Sequence, residues 1–332
     1  MKYTINLLAA ILAVTALGQT GNSTISGSVK DPAAAAIPGA KIKITNVESG
    51  ATIESVSNEA GLYRVGTLLP GNYRVTVDAD GFSTVARGPI TVEVGQVVAI
   101  DVTLPVGQQS LTVEVSEAAP LVESQTSNVA QVVNRQMLAG LPLPNRAAAS
   151  LAALAPGVVM IDSGAGTAEN YPVFSVAGGR ARNQSFTLDG GNVSNAVGLT
   201  RPQQLTTLPV DAMQEFRVIA NTYSAEYGHS TGGIVTMSTR SGTNQFHGSL
   251  FESLQNNVFN ARNFFAAKKA PVRLNQYGGT FGGPIRKDKT HFFVTWEETR
   301  QLNGFDTTST VPTVLNRNGD FSDLRTTADA PS

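Results

Sequence analysis

Alternation of apolar and polar residues with a period of two constrains this chain more than any other feature. In Gly71-Asn72-Tyr73-Arg74-Val75-Thr76-Val77-Asp78, an extended strand places Tyr73, Val75 and Val77 on one side and Asn72, Arg74, Thr76 and Asp78 on the other. A helix would scatter the same residues around its axis, so a half-buried sheet is what this pattern builds. Residues 25–30, 40–46, 52–57, 62–65, 90–94 and 97–104 read in the same way. Turn formers divide them: Asp31-Pro32, Pro38-Gly39, Ser49-Gly50, Ala60-Gly61, Pro70-Gly71 and Asp80-Gly81. Seven short strands separated by such turns predict a β-sandwich over residues 19–105.

Composition agrees and removes several functions. Glycine supplies 32 of the 332 residues and charged residues only 15%, against a usual ~25% charged, which suits turn-rich β structure. A net charge of -1 excludes the concentrated basic face of a nucleic-acid binder. With no cysteine, there is no disulfide framework, thiolate nucleophile or cysteine zinc site. Three residues after His229, His247 and His291 stand Gly232, Leu250 and Val294, so no His-x-x-Glu ligand pair exists. Neither a metal nor a cofactor is expected, and no catalytic residue.

The start of the chain reads as an export signal over residues 1–18. Lys2 precedes an apolar run over residues 5–17, and Ala16-Leu17-Gly18 supplies the small-residue cleavage pattern. No other apolar stretch reaches the length of a membrane helix. A closed β-barrel remains a route into a membrane, because its strands carry little hydropathy signal.

Residues 106–120 break the sandwich pattern and read as a linker. Within them Leu111, Thr112, Val113, Glu114 and Val115 form a short alternating segment. It reads either as an eighth sandwich strand or as an extended segment that adds to the sheet edge of a partner.

Residues 121–240 read as a mixed α+β domain. Helices are expected at 134–139 and 145–155, the second capped by Asn145, with Leu151 and Leu154 on one face and Pro156-Gly157 as its stop. Strands are expected at 173–177, 185–189, 216–219 and 233–239, and a short helix at 209–215. Arg180 and Arg182, beside Asn183, either cradle an anion or bond loop carbonyls. Gly228-His229-Ser230-Thr231-Gly232 matches the G-x-S-x-G elbow of esterases, but that elbow needs a buried strand before it and a helix after it. Here a polar segment precedes the motif and a strand pattern comes after it, so the motif reads as a turn entering a strand.

Residues 241–332 begin with three strand patterns, at 246–254, 276–285 and 290–298, with a tight turn at Lys287-Asp288-Lys289. Residues 256–275 read as a loop, and 301–332 show no clear strand. In the third pattern Thr290, Phe292, Val294 and Trp296 share one face. Strands of about ten residues with aromatics near their ends are compatible with an outer-membrane barrel, but the residues by themselves read rather as a soluble sheet, because individual barrel strands carry weak signals.

Longer motifs carry a family resemblance. The segments Ile25-Ser26-Gly27-Ser28-Val29-Lys30-Asp31, Asn58-Glu59-Ala60-Gly61-Leu62-Tyr63 and Leu69-Pro70-Gly71-Asn72-Tyr73 resemble the carboxypeptidase regulatory-like domain, an Ig/prealbumin-like sandwich with a carbohydrate-binding-like fold. Residues 174–191 and Pro209-Val210-Asp211-Ala212-Met213-Gln214-Glu215-Phe216-Arg217-Val218 resemble the plug of TonB-dependent outer-membrane receptors. So does Tyr223-Ser224-Ala225-Glu226-Tyr227-Gly228-His229-Ser230-Thr231-Gly232-Gly233-Ile234-Val235, running on through Gly242 to Phe251. With the preceding sandwich, the whole is similar to the Oar-like subfamily. The resemblance implies a periplasmic sandwich, a plug and the first strands of a transmembrane β-barrel in the outer membrane. It implies TonB, with its inner-membrane energising complex, as partner, and outer-membrane lipid as surroundings. It places residues 111–115 in the TonB-box position, and makes Arg180, Arg182 and Asn183 candidates for contact with an unidentified ligand, whether sugar, peptide or chelate. The reading set against it is a secreted or surface-attached adhesion protein. Because the residues after 240 provide only three or four strands, the chain is expected to be a fragment whose barrel has barely begun.

Overall fold

A computed structural model describes residues 23–107, 113–115, 129–141, 143, 146, 148–161, 173–180, 183–194, 208–221, 223, 227, 231–262, 269, 271–304 and 311–322. The expected signal segment lies outside these residues. The chain divides into two compact units, Met1–Leu250 with Gly279–Trp296, and Phe251–Gly278 with Glu297–Ser332.

The first strands are β1 (Ser23–Lys30), β2 (Lys41–Asn46), β3 (Thr52–Val56), β4 (Leu62–Leu68), β5 (Gly71–Asp78), β6 (Val85–Val92), β7 (Val97–Ala99) and β8 (Val102–Thr103). One sheet holds β4, β1 and β7, with β8 also paired to β1, and the other runs β3-β2-β5-β6 and one strand further. The period-two pattern does what it predicts. Tyr73, Val75 and Val77 are buried, as are Ile42 and Ile44, while Lys41 and Lys43 between them are exposed. Each fully buried valine or isoleucine contributes about 1.5–3 kcal/mol, and the core also gathers Ile25, Val29, Val92 and Leu104. The Tyr63 hydroxyl donates to the Ile100 carbonyl at 2.8 Å, and burial raises its pKa.

Two strands differ from the sequence reading. The strand expected at 90–94 starts at Val85 and runs through Pro89. The register with β5 shifts between Tyr73 and Val75, opposite Gly88-Pro89, and such an irregularity is where a sheet accepts proline. The strand expected at 97–104 is split into β7 and β8, both parallel to β1.

Next comes β9 (Val113–Val115), which lies parallel to β6 and completes the five-stranded sheet β3-β2-β5-β6-β9. It is followed by β10 (Val129–Val133) and α1 (Arg135–Gly140), whose first turn is capped by Asn134 Oδ1 accepting from the Met137 amide at 3.1 Å. The helix expected at 145–155 is a 3₁₀ turn over Ala148–Leu154, and Asn145 lies outside the described residues. Leu151, Ala152 and Ala155 are buried, while Leu154, on the last turn, is 51% exposed rather than sharing the face of Leu151.

The remaining strands of this domain are β11 (Val158–Ile161), β12 (Val173–Val176), β13 (Ser185–Leu188), β14 (Gly191–Asn192), β15 (Met213–Asn221) and β16 (Ile234–Thr239). They form a five-stranded sheet, β10-β15-β16-β13-β14, and a separate β11-β12 pair. The helix expected at 209–215 is limited to Val210–Ala212, because Met213 already belongs to β15. β15 is buried on both faces, so alternation does not mark it. Val133, Leu138, Phe174, Val176, Phe216, Val218 and Met237 fill this second core.

The last sheet is β17 (His247–Asn256), β18 (Val272–Arg286) and β19 (Thr290–Asn303), in that order. β18 and β19, at 15 and 14 residues, outrun the expected ten. β18 begins inside the segment read as a loop, and β19 runs into the segment read as having no strand. The turn at 287–289 is as expected, with Asp288 at φ +60°. A short helix α2 (Val314–Arg317), capped by Thr313, comes last. Among the described residues no helix is long and apolar enough to cross a membrane.

Candidate functional site

The candidate ligand residues lie between β12 and β13. Ala177 at φ +50° and Gly178 at φ +74° turn the chain, and the Asn183 amide closes on the Arg180 carbonyl at 2.9 Å. Arg180 is exposed and Asn183 half-buried; Arg182 lies outside the described residues. The loop is tied to the start of β16, where the Gly232 amide donates to the Asn183 carbonyl at 2.9 Å. A Cβ on Gly232 would meet that carbonyl at 3.0 Å, so the two glycine-rich motifs are packed backbone to backbone. Ser230 lies outside the described residues, but Gly233 leads into strand β16 and not into a helix. The requirement of an esterase elbow is therefore unmet on that side.

Of the coupling candidates, Val113, Glu114 and Val115 pair with Val85, Ala86 and Arg87 on the edge of the sandwich, while Leu111 and Thr112 lie outside the described residues. The two candidate groups thus stand on different modules: residues 113–115 on the sandwich sheet, Arg180 and Asn183 in the α+β domain.

Two groupings escaped sequence reasoning. Asp211 gathers arginines from distant segments. Its carboxylate meets Arg135 at 3.6 Å and bonds Arg146, and its carbonyl accepts from Arg240 at 3.3 Å. Burial lowers the pKa of Arg240, and the nearby Arg135 adds to this while Asp211 opposes it. Arg240 also lies 4.8 Å from the centre of the Phe293 ring, within cation–π range. Glu215, in β15, is 7% exposed and accepts a hydrogen bond from the Val94 amide of the sandwich. Burial pushes its carboxyl up to about 7; the Val94 amide and Arg217 pull it back, while Glu93 adds to the rise. No local spacing announces either grouping, since the partners stand 29 to 121 residues apart in the chain.

The last sheet has two chemically different faces. One carries Phe246, Leu250, Phe281, Val294 and Trp296, and all are exposed, Leu250 by 92%. Phe281 stacks on Phe246 with ring centres 5.9 Å apart and tilts against Phe292 at 5.5 Å. The other face carries Leu274, Gln276 and Thr280, all buried, with Ser249 and Thr280 sharing a hydrogen bond of 2.8 Å. Exposed apolar side chains on one face, with buried polar ones such as Gln276 and Thr280 on the other, suit a barrel strand in lipid.

Three family models match successive parts of the chain. A model of the carboxypeptidase regulatory-like domain matches residues 24–105, the TonB-dependent receptor plug domain residues 122–235, and an outer membrane beta barrel domain residues 238–332. These three matches follow one another along the chain in that order. It is 27% identical over 310 residues to the TonB-dependent transporter Oar of Myxococcus xanthus, covering 85% of this chain and 28% of that relative. Among solved structures, the siderophore receptor PirA from Acinetobacter baumannii matches at 22% identity and TM-score 0.40, over 52% of this chain and 24% of that one. The outer membrane transporter YddB from Escherichia coli matches at 16% identity and TM-score 0.41, over 52% and 26%. The curated relative is a TonB-dependent transporter. The five-stranded sheet that carries β15 and β16 is accordingly the plug, and β17–β19 are strands of an outer-membrane barrel domain, here an open sheet.

Proposed function

We propose that this chain works in ligand uptake across the outer membrane, energised through TonB. The observation that carries this reading is a match to a plug domain followed directly by strands that expose apolar side chains on one face and bury Gln276 and Thr280 on the other. A ligand of unidentified chemistry (sugar, peptide or chelate) binds on the outer side of plug and barrel, with Arg180, Arg182 and Asn183 as contacts. Residues 111–115 pair with TonB in the periplasm, Val113–Val115 keeping β6 on one side and taking TonB on the other as the last strand of the sandwich sheet, with backbone hydrogen bonds supplying the affinity. The inner-membrane energising complex pulls, and the plug opens locally before the barrel, as a less stable unit must. The sandwich stands in the periplasm and residues 1–18 direct export. This domain series favours transport over an adhesive role.

Deleting residues 111–115 tests the coupling. TonB captured from detergent extracts by the intact receptor should be lost, while the receptor remains heat-modifiable in the outer-membrane fraction. Undiminished capture would remove residues 111–115 from the role, and release into the medium would remove the membrane reading.

A further inference from the structure

Two turns of the sandwich reach other parts of its compact unit. In the first, Asn46 Oδ1 accepts from the amides of Glu48 at 3.0 Å and Ser49 at 2.9 Å, which shapes the turn internally. Gly50 stands at φ +72° and so close to Asp288 that a Cβ would lie 2.9 Å from Asp288 Cγ and 3.1 Å from Asn244 Nδ2. The Glu48 carbonyl accepts from the Asn244 amide at 3.0 Å. Asn244 is itself clamped: Nδ2 donates to the Asp288 carboxylate at 2.7 Å, and Oδ1 accepts from the Asp288 amide at 2.8 Å. His291 Nε2 lies 3.0 Å from the same Oδ1. One asparagine side chain therefore holds the β18–β19 turn while its amide holds the sandwich.

In the second turn, Gln96 Oε1 accepts from the Glu93 amide at 2.9 Å, and the Val94 amide donates to Glu215 in β15. Gly95, at φ +66°, faces Tyr227 Oη, which would lie 3.3 Å from a Cβ there. A cleft of about 760 Å³ is lined by the first turn and Tyr73 on the sandwich side and by Gln214, Arg240 and Gln245 opposite. Sealing a carboxylate under the second turn costs desolvation, which a merely tethered module would not incur.

We propose that the sandwich is a docked restraint on the plug: residues 46–51 and 93–96 form a docking surface whose partner is the hairpin turn and β15 of the same chain, and β15 moves only when this surface is released. The docking stands on these contacts alone; its use in uptake rests on the transport reading, in which the plug must move.

Two glycines make the test specific. Gly39 and Gly50 share φ +72°, but nothing lies within 4 Å of a Cβ on Gly39. Asparagine tolerates the left-handed backbone at both, so Gly50→Asn and Gly39→Asn differ in what the new side chain meets. Hydrogen exchange on the full chain in detergent reads the outcome. In Gly50→Asn the Asn244 amide should exchange at least about tenfold faster, a cost of ~1.4 kcal/mol in opening. The β15 amides should exchange faster too, with Val75 and Val77 unchanged and Gly39→Asn like the unmodified chain. Unchanged Asn244 exchange in Gly50→Asn overturns the docking; faster exchange at Asn244 without any in β15 overturns the restraint. If Gly50→Asn does not fold, Glu215→Ala replaces it with the Val94 and β15 amides as readout, and unchanged exchange there overturns the proposal. Neither TonB nor ligand enters this measurement, so its failure is distinct from a failure of the capture experiment.

Discussion

Replacing Glu215 by glutamine should change how the stability of this chain depends on pH. Glu215 is 7% exposed, and burial is the main reason its carboxyl stands near 7 rather than 4.5. At 1.36 kcal/mol per pH unit, that difference is worth about 3 kcal/mol. A carboxyl that holds its proton more tightly when folded contributes fully below about pH 4.5, and its contribution is lost as the pH rises through about 7. Glu215→Gln keeps a carbonyl oxygen for the Val94 amide and has no proton to lose. Urea midpoints measured by circular dichroism, from about pH 4.5 to about pH 8, should show the variant gaining about 3 kcal/mol relative to the unmodified chain. Every other titrating group is common to both proteins and cancels in the difference. A stability gap that stays constant across this range would refute the buried, proton-holding carboxyl and the physical cause assigned to it.

Asp211→Ala should lower plug stability by about 2–4 kcal/mol in the same denaturation assay, because it leaves Arg135 and Arg146 without their shared carboxylate. Asp189→Ala should cost about 1–3 kcal/mol, since the Asp189 carboxylate accepts from the Thr239 amide at 2.9 Å and its hydroxyl at 2.7 Å. Leu250→Arg, on the exposed apolar face of β17, should cost about 2–4 kcal/mol in lipid and reduce the heat-modifiable outer-membrane band. Ser249→Arg, on the opposite face, should leave that band intact.

Much of the fold was legible because alternation is a local property. Tyr73, Val75 and Val77 declare a buried face whatever their strand pairs with, and the exposed side of β19 is declared by Phe292, Val294 and Trp296 in the same way. The loop carrying Arg180 and Asn183 was legible because its glycines occur in motifs too long to arise from β patterning alone. β15 was only partly legible, since a strand covered on both faces has no polar side to mark its ends.

Which residues of the alternating strands face a core was thus determined by the sequence itself, whereas Leu154 and the doubly covered β15 were not. Tertiary structure decided which strand lies beside which. Residues 113–115 alternate equally well as a free segment or as the neighbour of β6, and only the assembled sheet selects the parallel pairing with Val85–Arg87. Only assembly brings Glu215 to the Val94 amide and Asn244 to the Glu48 carbonyl. Local pattern specifies how much each residue gains by burial, whereas a pairing, a buried charge or a docked turn depends on what the rest of the chain places opposite it.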